Sequence, residues 1–178
     1  MSNFNDRIIR AAKLDASVYE EVEEDTTALK QAMAVVVLSS IAAGIGTTTS
    51  GGLSVIMVII TGTILALIGW YIWAYITYFI GTRLLPEPQT KADYGQLLRT
   101  IGFSSSPGLI RIFCIIPGLS GIISVIAAVW MLVAMVVAVR QALDYRSTFR
   151  AVAVCIIGWV IQSLFLIVVL AIIGNLLK

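Results

Sequence analysis

Ile115-Ile116-Pro117-Gly118-Leu119-Ser120-Gly121 interrupts an uncharged run that starts after Arg111 and ends before Arg140. From Leu109 to Val139 the run is too long for one comfortable membrane span and too short for two, since a span takes about 20 mostly apolar residues. Proline removes a helix donor and collides with the preceding turn, so Pro117-Gly118 is either a kink within one helix or the turn of a hairpin. Charge decides between them, because Lys and Arg concentrate in cytoplasmic loops. Arg83, Lys91 and Arg99 precede the run; Arg140, Arg146 and Arg150 follow it. A single helix would put these two basic loops on opposite sides of a bilayer, whereas a helical hairpin puts both on one side. With Arg7, Arg10, Lys13 and Lys30 added, ten of the 12 basic residues share that side, leaving Arg111 and Lys178 elsewhere.

The same reading extends in both directions. The chain of 178 residues is 59% hydrophobic and 12% charged, against about 25% charged in an ordinary soluble domain. No acidic or basic residue occurs from Gln31 through Thr82, from Ile112 through Val139, or from Ala151 through Leu177. A soluble fold would need a polar outer face on each stretch, a need that lipid removes. The expected fold class is therefore an all-α integral membrane protein, a bundle of five transmembrane helices with an N-terminal interfacial amphipathic helix. The expected spans are about 31–49, 53–81, 97–116, 119–139 and 151–177, forming a membrane domain over 30–178 behind a helical segment at 1–29. The uncharged turns at Thr47–Gly52 and Pro117–Gly121 face outward, the N-terminus is cytosolic, and the C-terminus lies opposite. The cytoplasmic (inner) membrane is the expected location.

Outside the spans two regions stand out. Asn5 or Asp6 can cap an N-terminal helix whose Arg7, Arg10 and Lys13 sit at headgroup level, with Glu20, Glu21, Glu23, Glu24 and Asp25 left in water. The loop from Arg83 to Pro107 contains Pro86-Glu87-Pro88, which stops the second helix, and ends in Ser104-Ser105-Ser106-Pro107-Gly108. A straight third helix is not expected through that sequence; Ser hydroxyls can take up the backbone groups that Pro107 frees.

Function is narrowed by subtraction. The chain has no histidine, the commonest general base and metal ligand. No Ser/His pair, paired aspartates or metal-ligand spacing is present, so no catalytic residue, metal or cofactor is expected. Cys114 and Cys155 sit in apolar runs as small hydrophobes. The net charge of +2 carries no basic stripe with interleaved aromatics, so nucleic acid is not an expected partner. Small residues let helices approach closely in lipid; Ser120, Ser124 and Ala128 form such a stripe, followed by Ala134 and Ala138, and Gly62 with Ala66 form another. Trp70 and Trp73 lie too deep for an interfacial belt and should fill the bundle or face lipid tails. Arg111 and Gln162 are the polar groups of interest within spans, and Arg111 can snorkel outward or serve a polar contact.

Three motifs in order carry a family resemblance: Tyr94-Gly95 through Gly102-Phe103 to Pro107; Ile126-Ala127-Ala128-Val129-Trp130-Met131-Leu132 with Ala138-Val139-Arg140; and Phe149-Arg150-Ala151-Val152-Ala153 running on to Gly158-Trp159. Together with Leu14-Asp15 and Tyr19-Glu20-Glu21-Val22 they resemble the Ypt-interacting protein (Yip) family in its bacterial branch. The resemblance implies five membrane helices and a cytosolic N-terminus. Eukaryotic members are associated with membrane trafficking and small Rab-type GTPases through a longer N-terminal segment, so a small GTPase is not an expected partner here. What remains is a noncatalytic scaffold or accessory subunit, contacting lipid and other integral membrane proteins or itself; the alternative is a small uncoupled transporter, channel or lipid-handling protein. If Ser120, Ser124 and Ala128 form the buried seam, Ser124→Leu or Ala128→Leu should overfill it and lower detergent stability, which a melting curve would show.

Overall fold

The computed structural model describes residues 3–47 and 53–176; the rest of the turn assigned to Thr47–Gly52, and Lys178, lie outside the described residues. Seven α-helices follow one another: α1 (Phe4–Ala12), α2 (Ala16–Glu24), α3 (Leu29–Thr47), α4 (Leu53–Phe79), α5 (Tyr94–Phe103), α6 (Ser120–Ala142) and α7 (Thr148–Leu176). No strand occurs among the described residues. Three stretches are long and apolar enough to cross a membrane, Thr26–Gly46, Val55–Leu84 and Ser120–Ala142, and a shorter apolar helix covers Thr148–Leu164.

The third predicted span, 97–116, is not one helix. α5 stops at Phe103, and the chain resumes as a 3-10 segment over Ser106–Ile115. Pro107 opens that segment and has no N–H to give to the Phe103 carbonyl. The Ser106 hydroxyl donates to Phe103 O at 2.7 Å instead, and the Ser104 hydroxyl donates to Ile101 O at 2.7 Å. The break expected from the serines and Pro107 is thus present, and the hydroxyls do the backbone's work. A 3-10 run of ten residues is uncommon. At about 1.5 Å per residue in α5 and about 2 Å in the 3-10 segment, the composite reaches roughly 35 Å, comparable with the hydrocarbon layer.

Contacts fix the direction of every element. The composite runs parallel to α3: Gly102 meets Ala32, Gly108 meets Ser39, and the end of the 3-10 segment meets Gly46. It runs antiparallel to α6, from Ser104 against Met135 Sδ (3.7 Å) to Cys114 Sγ against Ser124 Oγ (3.6 Å). α4 is antiparallel to α3 and α5: Ser40 Oγ lies 3.0 Å from Thr63 Oγ1, and the Trp70 indole donates to Leu98 O at 3.0 Å. Trp70 is buried and Trp73 donates to Met135 Sδ at 3.2 Å, so both fill the bundle. Gly118 supplies the positive φ (83°) that the Pro117 turn requires.

The predicted small-residue stripe divides between two faces, its later members Ala134 and Ala138 lying in the bundle and its first three residues outside it. Ser120, Ser124 and Ala128 are exposed, whereas Ala127, Ala134 and Ala138 are fully buried. Ala128 is turned about 100° from Ala127 on a 3.6-residue helix, which is enough to face lipid instead of protein. Gly62 is likewise exposed, with nothing within 4 Å of where a Cβ would stand, while Ala66 packs against the core. The close approach lies at Gly102, where a Cβ would fall 2.7 Å from that of Ala32. Gly102→Ala should therefore destabilise the protein by about 1–3 kcal/mol. Gly62→Ala should be neutral or gain up to about 1 kcal/mol from helix propensity. Thermal unfolding of the two variants side by side in one detergent checks the contrast; equal melting temperatures would contradict it.

Candidate functional site: the charged end of the bundle

Polar side chains converge at the end where α4 finishes, α5 begins and α6 turns into α7. The N-terminal segment packs there, but not as the single interfacial helix expected from the sequence. α1 and α2 form a hairpin that turns at Leu14, which takes a left-handed φ of 62°, and Asp15 caps α2 by accepting from Ser17 N at 3.0 Å. Arg7 is 2% exposed, bonded to Glu21 (2.9 Å), Asp25 (2.8 Å) and Gln31 (2.9 Å). Arg10 pairs with Asp15 (2.9 Å) and Glu21 (2.8 Å). These guanidiniums are turned inward to α2 rather than toward headgroups, a correction whose cause is the acidic content of α2 itself. Bonds from Thr27 and Arg7 hold the Asp25 carboxyl below its ordinary range.

The hairpin is fastened to the membrane helices at named points. The Trp130 indole, on α6, donates to Ala12 O at 2.7 Å, while within the hairpin the Tyr19 hydroxyl of α2 donates to Ala11 O of α1 at 3.2 Å. Arg99, on α5 and 7% exposed, donates through Nε to Val22 O at 2.9 Å and through Nη2 to Glu23 O. A cation on the terminal carbonyls of α2 also suits the helix dipole. Sequence reasoning had counted Arg99 merely as a loop charge; the sign that could have separated it is its place inside the Leu97–Ile101 apolar stretch.

Across from the hairpin, the loop after α4 is clamped to the α6–α7 turn. α4 closes in a π-helical turn, Ile80–Leu84, a form that recurs at functional positions. The Tyr145 hydroxyl serves Leu85 O (2.7 Å) and Gly81 O (3.1 Å), and burial pushes its pKa up to about 12, so it remains a donor. Glu87 accepts from Arg146 N (3.1 Å) and Gln89 Nε2 (2.5 Å) and pairs with Arg150 (3.5 Å). Partial burial opposes its charge, yet the amides of Arg146 and Ser147 with Gln89 and Arg150 hold the carboxyl below its ordinary range. Arg140 caps the turn through Tyr145 O at 3.2 Å. Two open concavities result. One, of about 500 Å³, is lined by Glu87, Pro88, Gln89, Arg146 and Arg150. The other, of about 560 Å³, is bounded by Glu20, Arg140, Gln141, Asp144 and Arg146 among others.

The family-motif positions mostly build this end. Tyr94 donates to Tyr71 O at 2.9 Å and packs edge-on to Tyr75 and Tyr78. Gly95 sits beside Asp93 and Arg99, and Phe103 and Pro107 are buried. The remaining candidates stand apart from it. Arg111 is partly exposed in the 3-10 segment, with no side-chain bond among the described residues, and Gln162 Oε1 is buried without a partner.

Long apolar helices with polar side chains gathered at one end define a helical membrane protein. A family model of the Yip1 domain matches residues 16–170, and the chain belongs to that family. No curated protein and no solved structure matches it.

The Tyr145 clamp gives a direct test. Tyr145→Phe removes the single O–H that lies within reach of both Leu85 O and Gly81 O and should cost about 1–2 kcal/mol, read as a lower melting temperature with faster proteolysis in the 85–93 loop. An unchanged cleavage pattern there would show that the hydroxyl does not hold the loop.

Proposed function

We propose that this Yip1-domain protein crosses the cytoplasmic membrane five times, with its N-terminus in the cytosol and its C-terminus opposite. In this reading it acts as a noncatalytic scaffold or accessory subunit that packs with other membrane proteins. The observation that carries it is the charged end: an immobilised, mixed-sign surface with two open concavities, on a body whose other large faces are apolar. Interfaces of contact proteins combine fixed backbone with charges of both signs at the rim. The composite of α5 and the 3-10 segment supports the fifth crossing, because it runs the length of both α3 and α6. The ten basic residues that the charge pattern assigns to one side support the orientation through the positive-inside tendency.

A small transporter is the second reading, favoured by the unpartnered Gln162 carbonyl oxygen and by the non-α backbone at membrane depth. Purification from the native membrane in a mild detergent, followed by native mass spectrometry, separates the two. The scaffold reading expects a stoichiometric second protein. It also expects Arg146→Glu, at an exposed side chain lining both concavities, to cut its recovery about tenfold or more, equivalent to about 1.4 kcal/mol, without shifting the chain's own melting. Recovery of the chain alone, with ion or solute flux in liposomes, would overturn it. Cysteine labelling at Arg146 and at the C-terminus from opposite sides of sealed vesicles checks the orientation.

A further inference from the structure

Most bonds that hold the α1–α2 hairpin join arginines, backbone carbonyls and an indole, and the Asp15 and Asp25 carboxyls among them are held below their ordinary range. One contact differs. Glu23, near the end of α2, is 9% exposed, and among the described residues no hydrogen bond or ion pair reaches its carboxyl group. The nearest cation, Arg99 on α5, spends its Nε and Nη2 on the backbone carbonyls of Val22 and Glu23. The charged groups that face Glu23 are Asp144, from the turn after α6, Arg99 from α5, and Glu20 and Glu24 from α2 itself. Glu20 is in turn bonded to Gln141 of α6 at 2.7 Å. A carboxylate shut into this junction has three like charges for company and one cation committed elsewhere.

We propose that Glu23 makes the N-terminal hairpin a proton-operated latch, in which the neutral carboxyl lets α2 sit on α5 and α6 and the carboxylate loosens it. Burial first, then Asp144, push the Glu23 pKa from 4.5 to about 7, with Arg99 offsetting part of the effect and Glu20 and Glu24 adding to it. The sign follows from proton linkage. The docked hairpin binds this proton more tightly than a released one, so docking is favoured below the ordinary carboxyl range and loses that support as pH rises through about 7. Between pH 6 and pH 8.5 the ratio of docked to released hairpin should fall about tenfold. What α2 covers is apolar: Val18, Tyr19 and Val22 are fully buried in the same cluster as Leu97, Leu98 and Ile101. Release therefore bares a hydrophobic strip and withdraws Glu20 from the larger concavity. The latch stands whether or not the docking role proposed above is correct.

Hydrogen exchange of the full-length protein in nanodiscs tests it, because protection factors read small released populations. Each α2 amide from Val18 to Glu24 is normalised to its intrinsic rate at each pH. In the native sequence these factors should fall about tenfold from pH 6 to 8.5, while those in the middle of α6 stay level. Glu23→Gln should leave the α2 factors high and flat over that range. Asp144→Asn removes one facing charge at an exposed site whose φ of 52° suits Asn, and should move the midpoint to lower pH; it serves as an independent check if Glu23→Gln does not insert. Flat α2 protection in the native sequence, the same fall in Glu23→Gln, or an unmoved midpoint in Asp144→Asn would each overturn the latch.

Discussion

A backbone amide or carbonyl that enters hydrocarbon has no water to turn to, and leaving it unpaired costs several kcal/mol. In the five-crossing arrangement proposed above, the passage broken at Ser104–Pro107 is where this chain meets that constraint most acutely. Proline deletes a donor, the helix stops, and carbonyls at Ile101 and Phe103 lose their α-helical partners. The serine hydroxyls restore those bonds locally, and the chain continues in 3-10 geometry, which pairs its own backbone at a longer rise. Irregular backbone is tolerated at depth only when protein encloses it. α3 and α6 flank the composite along its length, α4 packs on α5, and the N-terminal hairpin covers the charged end. Gly102 against Ala32 and Gly46 against the Arg111 carbonyl are places where that enclosure brings backbones together, and Gly108 leaves room for the Ser39 and Met131 side chains.

The hairpin follows from the same demand. A helix bearing Arg7 and Arg10 could have lain on the membrane surface as a separate amphipathic element. The carboxylates of Glu21 and Asp25 lie one hairpin turn away, and pairing with them lets Arg7 be buried almost entirely. Burying an arginine without such partners would be prohibitive. Once neutralised, the hairpin can bring Val18, Tyr19 and Val22 to the core cluster and spend Arg99 on its last carbonyls.

The helical class and the long apolar helices were legible because they rest on sums over many residues, which local context cannot reverse, and the Pro117-Gly118 turn because two adjacent residues declare it. The broken third passage was legible too, since Pro107 and three serines act through chemistry readable in one dimension. The seam was not. Ala134 and Ala138, the later members of the expected stripe, are buried while Ser120, Ser124 and Ala128 at its head are exposed, and nothing in residue size says which small residues meet protein and which meet lipid. Lipid is as apolar as leucine, so the hydrophobic pattern that orients a soluble helix is silent here. The turn at Leu14 was hidden for a different reason: no glycine or asparagine marked a left-handed residue, and only the Asp15–Ser17 cap hinted at a second helix start.

The basic residues did two separate jobs that a count along the sequence merges into one. As positive charge along the sequence, they carry the expectation of a cytosolic end. In the folded protein, Arg7 and Arg10 are paired with acids, Arg99 with carbonyls, and Arg150 with Glu87 and Pro86 O. Only part of that charge is therefore presented outward, alongside the exposed carboxylates Glu20 and Asp144. A purely basic rim would adsorb to any anionic lipid surface. A rim of alternating sign on fixed loops offers less to lipid and more to a partner with its own matching charges, which is why the charged end is better read as a protein-contact surface than as a lipid clamp.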